Sequence, residues 1–102
     1  MNQEYEVVLY SPLGPRKGKL FLSCSGTHVT GTLSLLGHQN PVQGEQSQTG
    51  TICLFHNIQT QVSNFSCKTT LILDGDQLSG LTLMDQEPIH WHGTREKSKA
   101  SL

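Results

Sequence analysis

Apolar and polar residues alternate along most of the chain with a period of two, which is the pattern of β-strands with one buried face. The runs are bounded by Gly, Pro, Asn and Asp, and they predict strands near 5–10, 18–24, 28–36, 41–45, 51–58, 62–73, 77–84 and 88–94. Helix is disfavoured because the sequence has a single alanine, Ala100, and many β-branched residues. The intervening links are too short for parallel crossovers, so the strands are predicted to form an antiparallel meander.

The alternation also gives most strands one apolar face, which we take to be the interior of the domain. The residues of this face are Leu20, Leu22, Cys24, Val29, Leu33, Leu35, Phe65, Cys67, Leu71, Leu73, Ile89 and Trp91. Two strands are ambiguous: Ile52, Leu54, His56 and Ile58 compete with Cys53 and Phe55, and Leu78 and Met84 compete with Leu81 and Leu83. We expect such strands to be buried on both faces, one in the barrel and one against a partner subunit.

Closure of the sheet is predicted from the near absence of charge in the middle of the chain. Glu45 is the only formal charge between Leu20 and Cys67, so these strands lack the Lys and Asp residues that normally protect open edges. A closed barrel has no such edges. The sequence therefore predicts an all-β fold, an eight-stranded antiparallel up-and-down barrel.

An internal repeat supports the same architecture. Shifting the chain by 49 residues aligns Lys19 with Lys68, Leu22 with Leu71, Gly26 with Gly75, Gly31 with Gly80 and Gly44 with Gly93. This predicts two four-stranded halves, about 1–49 and 50–95, that close on each other as one domain. The polar residues 96–102 are predicted to be a disordered C-terminal tail.

Charge and composition restrict the classes of partner. Seven Lys and Arg residues against eight Asp and Glu residues give a net charge of -1, so the basic field needed for nucleic acid is missing. Neither a signal-peptide pattern nor an apolar run long enough to span a bilayer occurs, and we expect a cytoplasmic protein with no membrane span.

The three cysteines, Cys24, Cys53 and Cys67, lack metal or redox spacing and are expected to pack as thiols.

Two segments share a pattern that carries a family resemblance: Gly26-Thr-His-Val-Thr-Gly-Thr-Leu33 and Gly75-Asp-Gln-Leu-Ser-Gly-Leu-Thr82. With eight short strands, they make the chain similar to the calycin-type barrels, the group of the lipocalins, fatty-acid-binding proteins and avidins. More closely, it resembles small uncharacterised bacterial proteins that repeat Gly-x-x-Val/Leu-Ser/Thr-Gly-Thr-Leu and end in Gly-Thr-Arg, here Gly93-Thr94-Arg95. The resemblance implies binding of a small hydrophobic molecule in the barrel, although the N-terminal Gly-x-Trp of lipocalins is missing.

Candidate chemistry is sparse. His90 and His92 point to one face of the last strand and could share a metal, but we expect that face to be solvated and predict no metal site. His28, His38 and His56 are expected to be surface or fully hydrogen-bonded histidines. The Asp74-Gly75-Asp76 segment is a hairpin turn rather than a Ca²⁺ site. No catalytic residues and no cofactor are predicted, and an enzyme such as an isomerase would need acids or bases inside the barrel.

Two functions remain. The first is non-enzymatic binding of a small apolar or amphipathic molecule, with Trp91, Phe65, Leu33 and Leu71 as wall residues and the segments 12–17 and 37–40 as possible rims. The alternative is a homodimeric interaction module with a filled core, in which the uncharged outer strands contact a second subunit. The three cations Arg16, Lys17 and Lys19 could bind an anionic headgroup at the rim, but they are expected to form a solvated loop.

Overall fold

A computed structural model of the chain describes residues 2–11, 14–35, 37–59, 64–84 and 87–96, and these residues form eight β-strands. The strands are β1 (Asn2–Ser11), β2 (Gly14–Ser25), β3 (His28–Leu35), β4 (His38–Gln46), β5 (Thr51–Gln59), β6 (Asn64–Asp74), β7 (Gln77–Met84) and β8 (Glu87–Arg95). Each overlaps one predicted run and extends it at most ends. The all-β prediction is confirmed.

The strands form a closed up-and-down barrel in which every strand pairs antiparallel with its neighbours in sequence. Closure is made by β1 and β8, whose ladder runs from Tyr5 opposite Arg95 to Tyr10 opposite His90. The predicted eight-stranded closed barrel is therefore confirmed. No helix among the described residues is long and apolar enough to cross a membrane.

Alternation along each strand separates a buried interior from the outer surface, as the period-two pattern requires. The buried apolar residues form one cluster: Tyr5, Val7, Leu9, Leu20, Leu22, Val29, Leu33, Leu35, Val42, Ile52, Leu54, Ile58, Cys67, Leu71, Leu78, Ile89 and Trp91. Cys24 and Leu73 are partly buried against it. In the ambiguous strand β5, Ile52, Leu54 and Ile58 face inward with His56, while Phe55 is 55% exposed. In β7, Leu78 faces inward and Leu83 is 53% exposed.

The two halves of the barrel share strand bounds and register. A shift of 49 residues carries β3 onto β7, and it also carries β4 onto β8. Gly31 lies between Leu22 and Val42 in its ladder, and Gly80 lies between Leu71 and Trp91 at the equivalent place. The construction from two repeats stays a prediction, and the agreement in strand bounds and register is what supports it.

Glycine is required where strands approach closely in the first half. A Cβ atom at Gly31 would lie 1.8 Å from the carbonyl oxygen of Phe21, and one at Gly44 would lie 1.8 Å from that of Cys53. No side chain fits such gaps, so these glycines allow the sheet to coil tightly, as closure of a small barrel demands. Gly31 and Gly44 therefore mark places where neighbouring backbones approach closely.

The last described residue, Glu96, contacts the first two strands of the barrel. The amide of Glu96 donates a hydrogen bond to the carbonyl oxygen of Glu4 at 2.8 Å, and the Glu96 carboxylate lies 3.6 Å from the Lys19 ammonium. Glu96 is thus tied to the barrel, although the sequence placed it in the tail. The rest of the predicted tail, 97–102, lies outside the described residues, as do Pro12 and Leu13 of the predicted rim.

Candidate functional site

Among the residues that the structure describes, four polar side chains are buried in the barrel. They are Asn40, His56, Thr69 and Thr82, and each faces inward from a different one of the four consecutive strands β4 to β7. Burying polar groups is costly unless they are hydrogen-bonded, so a cluster of them in a small apolar core calls for a specific explanation. The cluster gives one side of the interior a polar character.

Three of the four side chains form a hydrogen-bonded chain. Thr69 and Thr82 are direct cross-strand partners in β6 and β7, and their hydroxyl oxygens lie 2.6 Å apart. The Thr69 hydroxyl also lies 2.5 Å from Nε2 of His56. Asn40 is held separately, because its amide nitrogen donates to the carbonyl oxygen of Leu33 at 3.1 Å. Both interactions tie the polar residues to the rigid sheet.

The His56 ring contacts Trp91, which reaches into the interior from β8. The two rings meet edge to face, with centroids 6.3 Å apart and planes at 79°. Nε1 of Trp91 is buried and has no hydrogen-bond partner among the described residues. Both rings thus belong to the packed interior of the barrel.

Burial makes the His56 ring a weak base. Desolvation lowers its pKa from the usual 6.5 to about 4, and an interaction with the backbone of Asn57 opposes this shift by a smaller amount. The described residues with buried side chains include no Asp, Glu, Lys or Arg that would alter the balance. The ring is therefore neutral at physiological pH.

A surface groove of about 380 Å³ includes two residues of this cluster, Asn40 and His56, in its lining. It lies where the β4–β5 ladder ends, at the pair formed by Val42 and His56. Pro41, the next residue of β4, has no amide hydrogen and cannot extend the ladder toward β5. The groove is lined by Gln39, Asn40, Pro41, Val42, Gln43, Phe55, His56 and Asn57. The early end of the ladder thus leaves a groove between β4 and β5 on the outer surface.

The predicted wall residues lie in different relations to this site. Trp91 belongs to it through its contact with His56. Leu33 and Leu71 are fully buried in the apolar cluster, and the Leu33 carbonyl holds Asn40. Phe65 pairs with Ile58 in β6, but its side chain lies outside the described residues. Of the predicted rims, the segment 37–40 contributes two lining residues, whereas Arg16 and Lys17 belong to strand β2 rather than to a loop.

His56 is the residue that sequence reasoning missed. We expected a surface or fully hydrogen-bonded histidine at a strand end, and the structure buries it in the interior, where Nε2 lies beside the Thr69 hydroxyl. The signal that could have located His56 is the alternation along β5. His56 shares a strand face with Ile52, Leu54 and Ile58, and this face points into the closed barrel. Phe55 is apolar as well but lies on the opposite face, so the sequence alone did not show which face of β5 is buried.

The remaining candidate residues lie outside this groove. His90 and His92 are both exposed, as expected for a solvated outer face. Among the described residues, no three His, Cys, Asp or Glu side chains are grouped to hold a metal ion. Asp76 forms a salt bridge with Arg95, in which a carboxylate oxygen lies 2.5 Å from a guanidinium nitrogen. The cysteines are free thiols, and burial raises the pKa of Cys67.

Comparison with protein-family models, curated proteins and solved structures finds no match to this chain.

Proposed function

We propose that the protein binds a small amphipathic molecule at the groove between β4 and β5. The observation that carries this proposal is the groove itself, which lies where the β4–β5 ladder ends and whose lining includes two buried polar residues, Asn40 and His56. Fixed polar groups beside apolar surface favour an amphipathic ligand.

The size and lining of the groove set the scale of the ligand. About 380 Å³ lies near the lower end of ordinary ligand pockets, which suits a molecule of one or two rings. Pro41, Val42 and Phe55 offer apolar contact, while Gln43 and Asn57 are polar. The resemblance to calycin-type barrels supports the same function by analogy only, since fold alone does not define function.

Titration with the fluorescent apolar probe N-phenyl-1-naphthylamine tests the proposal. We expect saturable enhancement of its fluorescence by the wild-type protein, because the probe leaves water for an apolar wall. Asn57→Tyr fills the groove from its exposed side and should abolish the enhancement. Thr30→Tyr, at an exposed position of β3 outside the groove, is the matched control and should bind as the wild type does. Absence of saturable binding, or equal binding by Asn57→Tyr, would contradict the proposal.

A second candidate function, self-association, is favoured by the outer surface of β5 to β7. Phe55, Ile72 and Leu83 project outward there, and each is more than half exposed. Phe55 and Leu83 flank Lys68 in one cross-strand row. Exposed apolar side chains on one side of a barrel favour an interaction surface, and Phe55 and Leu83 lie on β5 and β7, the two strands that the sequence predicted to be apolar on both sides.

The first half of the barrel offers a direct contrast. In the equivalent row, Lys19 lies between Glu6 and Ser34. Polar residues thus occupy in one half the positions that Phe55 and Leu83 occupy in the other. We propose that the apolar face pairs with the same face of a second copy, forming a homodimer that buries roughly 1,200 Å² or more.

Sedimentation velocity at micromolar concentration tests the dimer. The wild type should sediment as a dimer, whereas Phe55→Glu with Leu83→Ser, which installs the residues of the first half, should give a monomer. Tyr10→Ser removes an exposed ring from β1, away from this face, and should leave the dimer intact. A monomeric wild type would refute self-association and leave ligand binding unaffected.

A further inference from the structure

Side-chain amides occupy both walls of the groove between β4 and β5. Gln39 and Gln43 line it from β4, Asn57 lines it from β5, and all three residues are exposed. A side-chain amide carries two N–H donors and a carbonyl acceptor, so it can both donate and accept hydrogen bonds without carrying a charge. The groove therefore offers uncharged polar groups of both kinds to a ligand.

Neighbouring hydroxyl groups fix the roles of two of these amides. Nε2 of Gln39 donates a hydrogen bond to the Ser34 hydroxyl at 3.1 Å, and the Ser66 hydroxyl donates to Oδ1 of Asn57 at 3.2 Å. These bonds leave the acceptor of Gln39 on one wall of the groove and the donors of Asn57 on the opposite wall. A ligand hydroxyl, which donates and accepts at once, matches both walls.

Apolar surface lies beside the amides. Phe55 lines the groove and is 55% exposed, and Pro41 lines it from the opposite strand. The face of an aromatic ring carries partial negative charge, so it attracts the slightly positive C–H groups of a saturated ring packed against it. A ligand that suits this groove therefore combines hydroxyl groups at its edge with a flat C–H face.

The lining of the groove carries no formal charge. It contains no Asp, Glu, Lys or Arg, and His56, whose pKa burial lowers to about 4, is neutral at physiological pH. Lys68 is the cross-strand neighbour of Phe55, and Glu45 lies two residues beyond Gln43, but neither lines the groove. A charged ligand would lose hydration in the groove without gaining a counter-charge. The lining therefore favours a neutral ligand.

We infer that the ligand of this groove is a neutral saccharide, with one pyranose ring stacked on Phe55 and its hydroxyl groups bound by the side-chain amides of the two walls. The inference rests on the proposed binding function and names the class of its ligand. A pyranose has the required combination, since hydroxyl groups surround the ring and C–H groups form its faces. The groove, with a volume of about 380 Å³, accommodates a molecule of one or two rings.

Saccharide binding is measured by displacement of N-phenyl-1-naphthylamine and by the side-chain amide resonances in a proton–nitrogen NMR spectrum. The neutral probes are the methyl glycosides of glucose, galactose and mannose, with tetrahydropyran-2-methanol as the same ring without its ring hydroxyls. Methyl glucuronide and methyl glucosaminide add a negative and a positive charge. We expect at least one neutral glycoside to bind roughly tenfold more tightly than tetrahydropyran-2-methanol, which is the scale of one net hydrogen bond. The two charged sugars should bind more weakly than methyl glucoside.

Each pattern of affinities has a distinct meaning. If no glycoside binds more tightly than tetrahydropyran-2-methanol while N-phenyl-1-naphthylamine still binds, the saccharide inference is wrong and the proposed function stands. Tighter binding of a charged sugar than of methyl glucoside overturns the claim that the ligand is neutral. If neither the sugars nor N-phenyl-1-naphthylamine bind, the proposed function and this inference fail together.

Two variants separate the amides and the ring from general packing. Gln43→Leu keeps the size of the side chain and removes its amide, so affinity for the best glycoside should fall roughly tenfold while N-phenyl-1-naphthylamine still binds. Gln77→Leu makes the same change at an exposed position of β7 outside the groove, and this matched control should bind as the wild type does. Phe55→Leu keeps an apolar side chain on the outer surface but removes the ring, and glycoside affinity should fall roughly fivefold. Unchanged glycoside affinity in Gln43→Leu and Phe55→Leu would contradict the inference.

Discussion

Thr82 occupies in the second half of the barrel the position that Leu33 occupies in the first. Leu33 pairs with Leu20 across β2 and β3, and Thr82 pairs with Thr69 across β6 and β7, at the same register. The shift that relates these pairs also places His56 where the first half has Val7. In the first half of the barrel, apolar residues therefore occupy the positions equivalent to those of the polar cluster. The fold thus does not require polar residues at these positions.

The two threonines should differ in their effect on stability. Thr69→Val leaves both His56 Nε2 and the Thr82 hydroxyl without a partner, and the free energy of unfolding should fall by about 2–3 kcal/mol. Thr82→Val leaves the bond between Thr69 and His56 in place, and the loss should be about 1 kcal/mol. Urea unfolding measures both. Thr70→Val, on the outer face of β6, is the control and should change stability by less than about 0.5 kcal/mol. Equal losses for Thr69→Val and Thr82→Val would contradict the hydrogen-bonded chain.

Stability should depend on pH through His56. In the unfolded chain the ring takes up a proton near pH 6.5, but in the folded barrel only near pH 4. Between these values the unfolded state binds the extra proton, so stability falls as the pH falls from about 6.5 to about 4 and is fully present above that window. The loss amounts to about 3 kcal/mol.

Urea unfolding across this range measures the effect, with His56→Val, the residue of the first half, as the control. The variant should lose less stability than the wild type over the same interval. An identical pH profile for the two proteins would show that another group is responsible.

Trp91 should contribute strongly to the core. Its ring is 2% exposed and packs against His56 and the apolar cluster, so Trp91→Ala should lower the free energy of unfolding by about 3–5 kcal/mol. Chemical denaturation measures the loss, and the wild-type emission should be blue-shifted because the only tryptophan is buried. Red-shifted emission from the folded protein would contradict the inward orientation of Trp91.

Two glycines at equivalent positions should tolerate alanine differently. A methyl group at Gly31 would meet the Phe21 carbonyl oxygen, which the sheet holds fixed, and Gly31→Ala should cost at least about 3 kcal/mol. At Gly80 the nearest atom is a methyl group of Leu71 at 2.5 Å, which can change rotamer, and the cost should be about 1 kcal/mol. Thermal or urea unfolding of the two variants gives the order. A more damaging substitution at Gly80 would contradict the geometry.

The strands and their closure could be predicted because each depends on local pattern. Period-two alternation located all eight strands, and the scarcity of charge in the middle of the chain indicated a sheet without edges. The inward orientation of Leu33, Leu71 and Trp91 followed from the same alternation and is confirmed by their burial. The sequence did not predict which face of β5 or β7 is buried. Both faces of these strands carry apolar residues, and alternation alone cannot distinguish two apolar faces.

The polar cluster could not be predicted, because it depends on contacts between distant strands. His56 and Trp91 are separated by most of the second half of the chain, and no local spacing brings their rings together. The early end of the β4–β5 ladder is equally invisible in the sequence, although Pro41 gives a physical reason for it once the register is known. Sites made by side chains that meet across a barrel interior require the closed structure.

The ladder between β1 and β8 has a consequence for how the chain folds. Its pairs, such as Tyr5 with Arg95, join residues from nearly opposite ends of the sequence, whereas every other ladder joins strands that follow each other. Hairpins can therefore form in order during synthesis, but the seam waits until β8 has left the ribosome. Until then β1 presents an unpaired edge that carries Glu4 and Glu6, and like charges on such an edge oppose its pairing with the edge of another nascent chain.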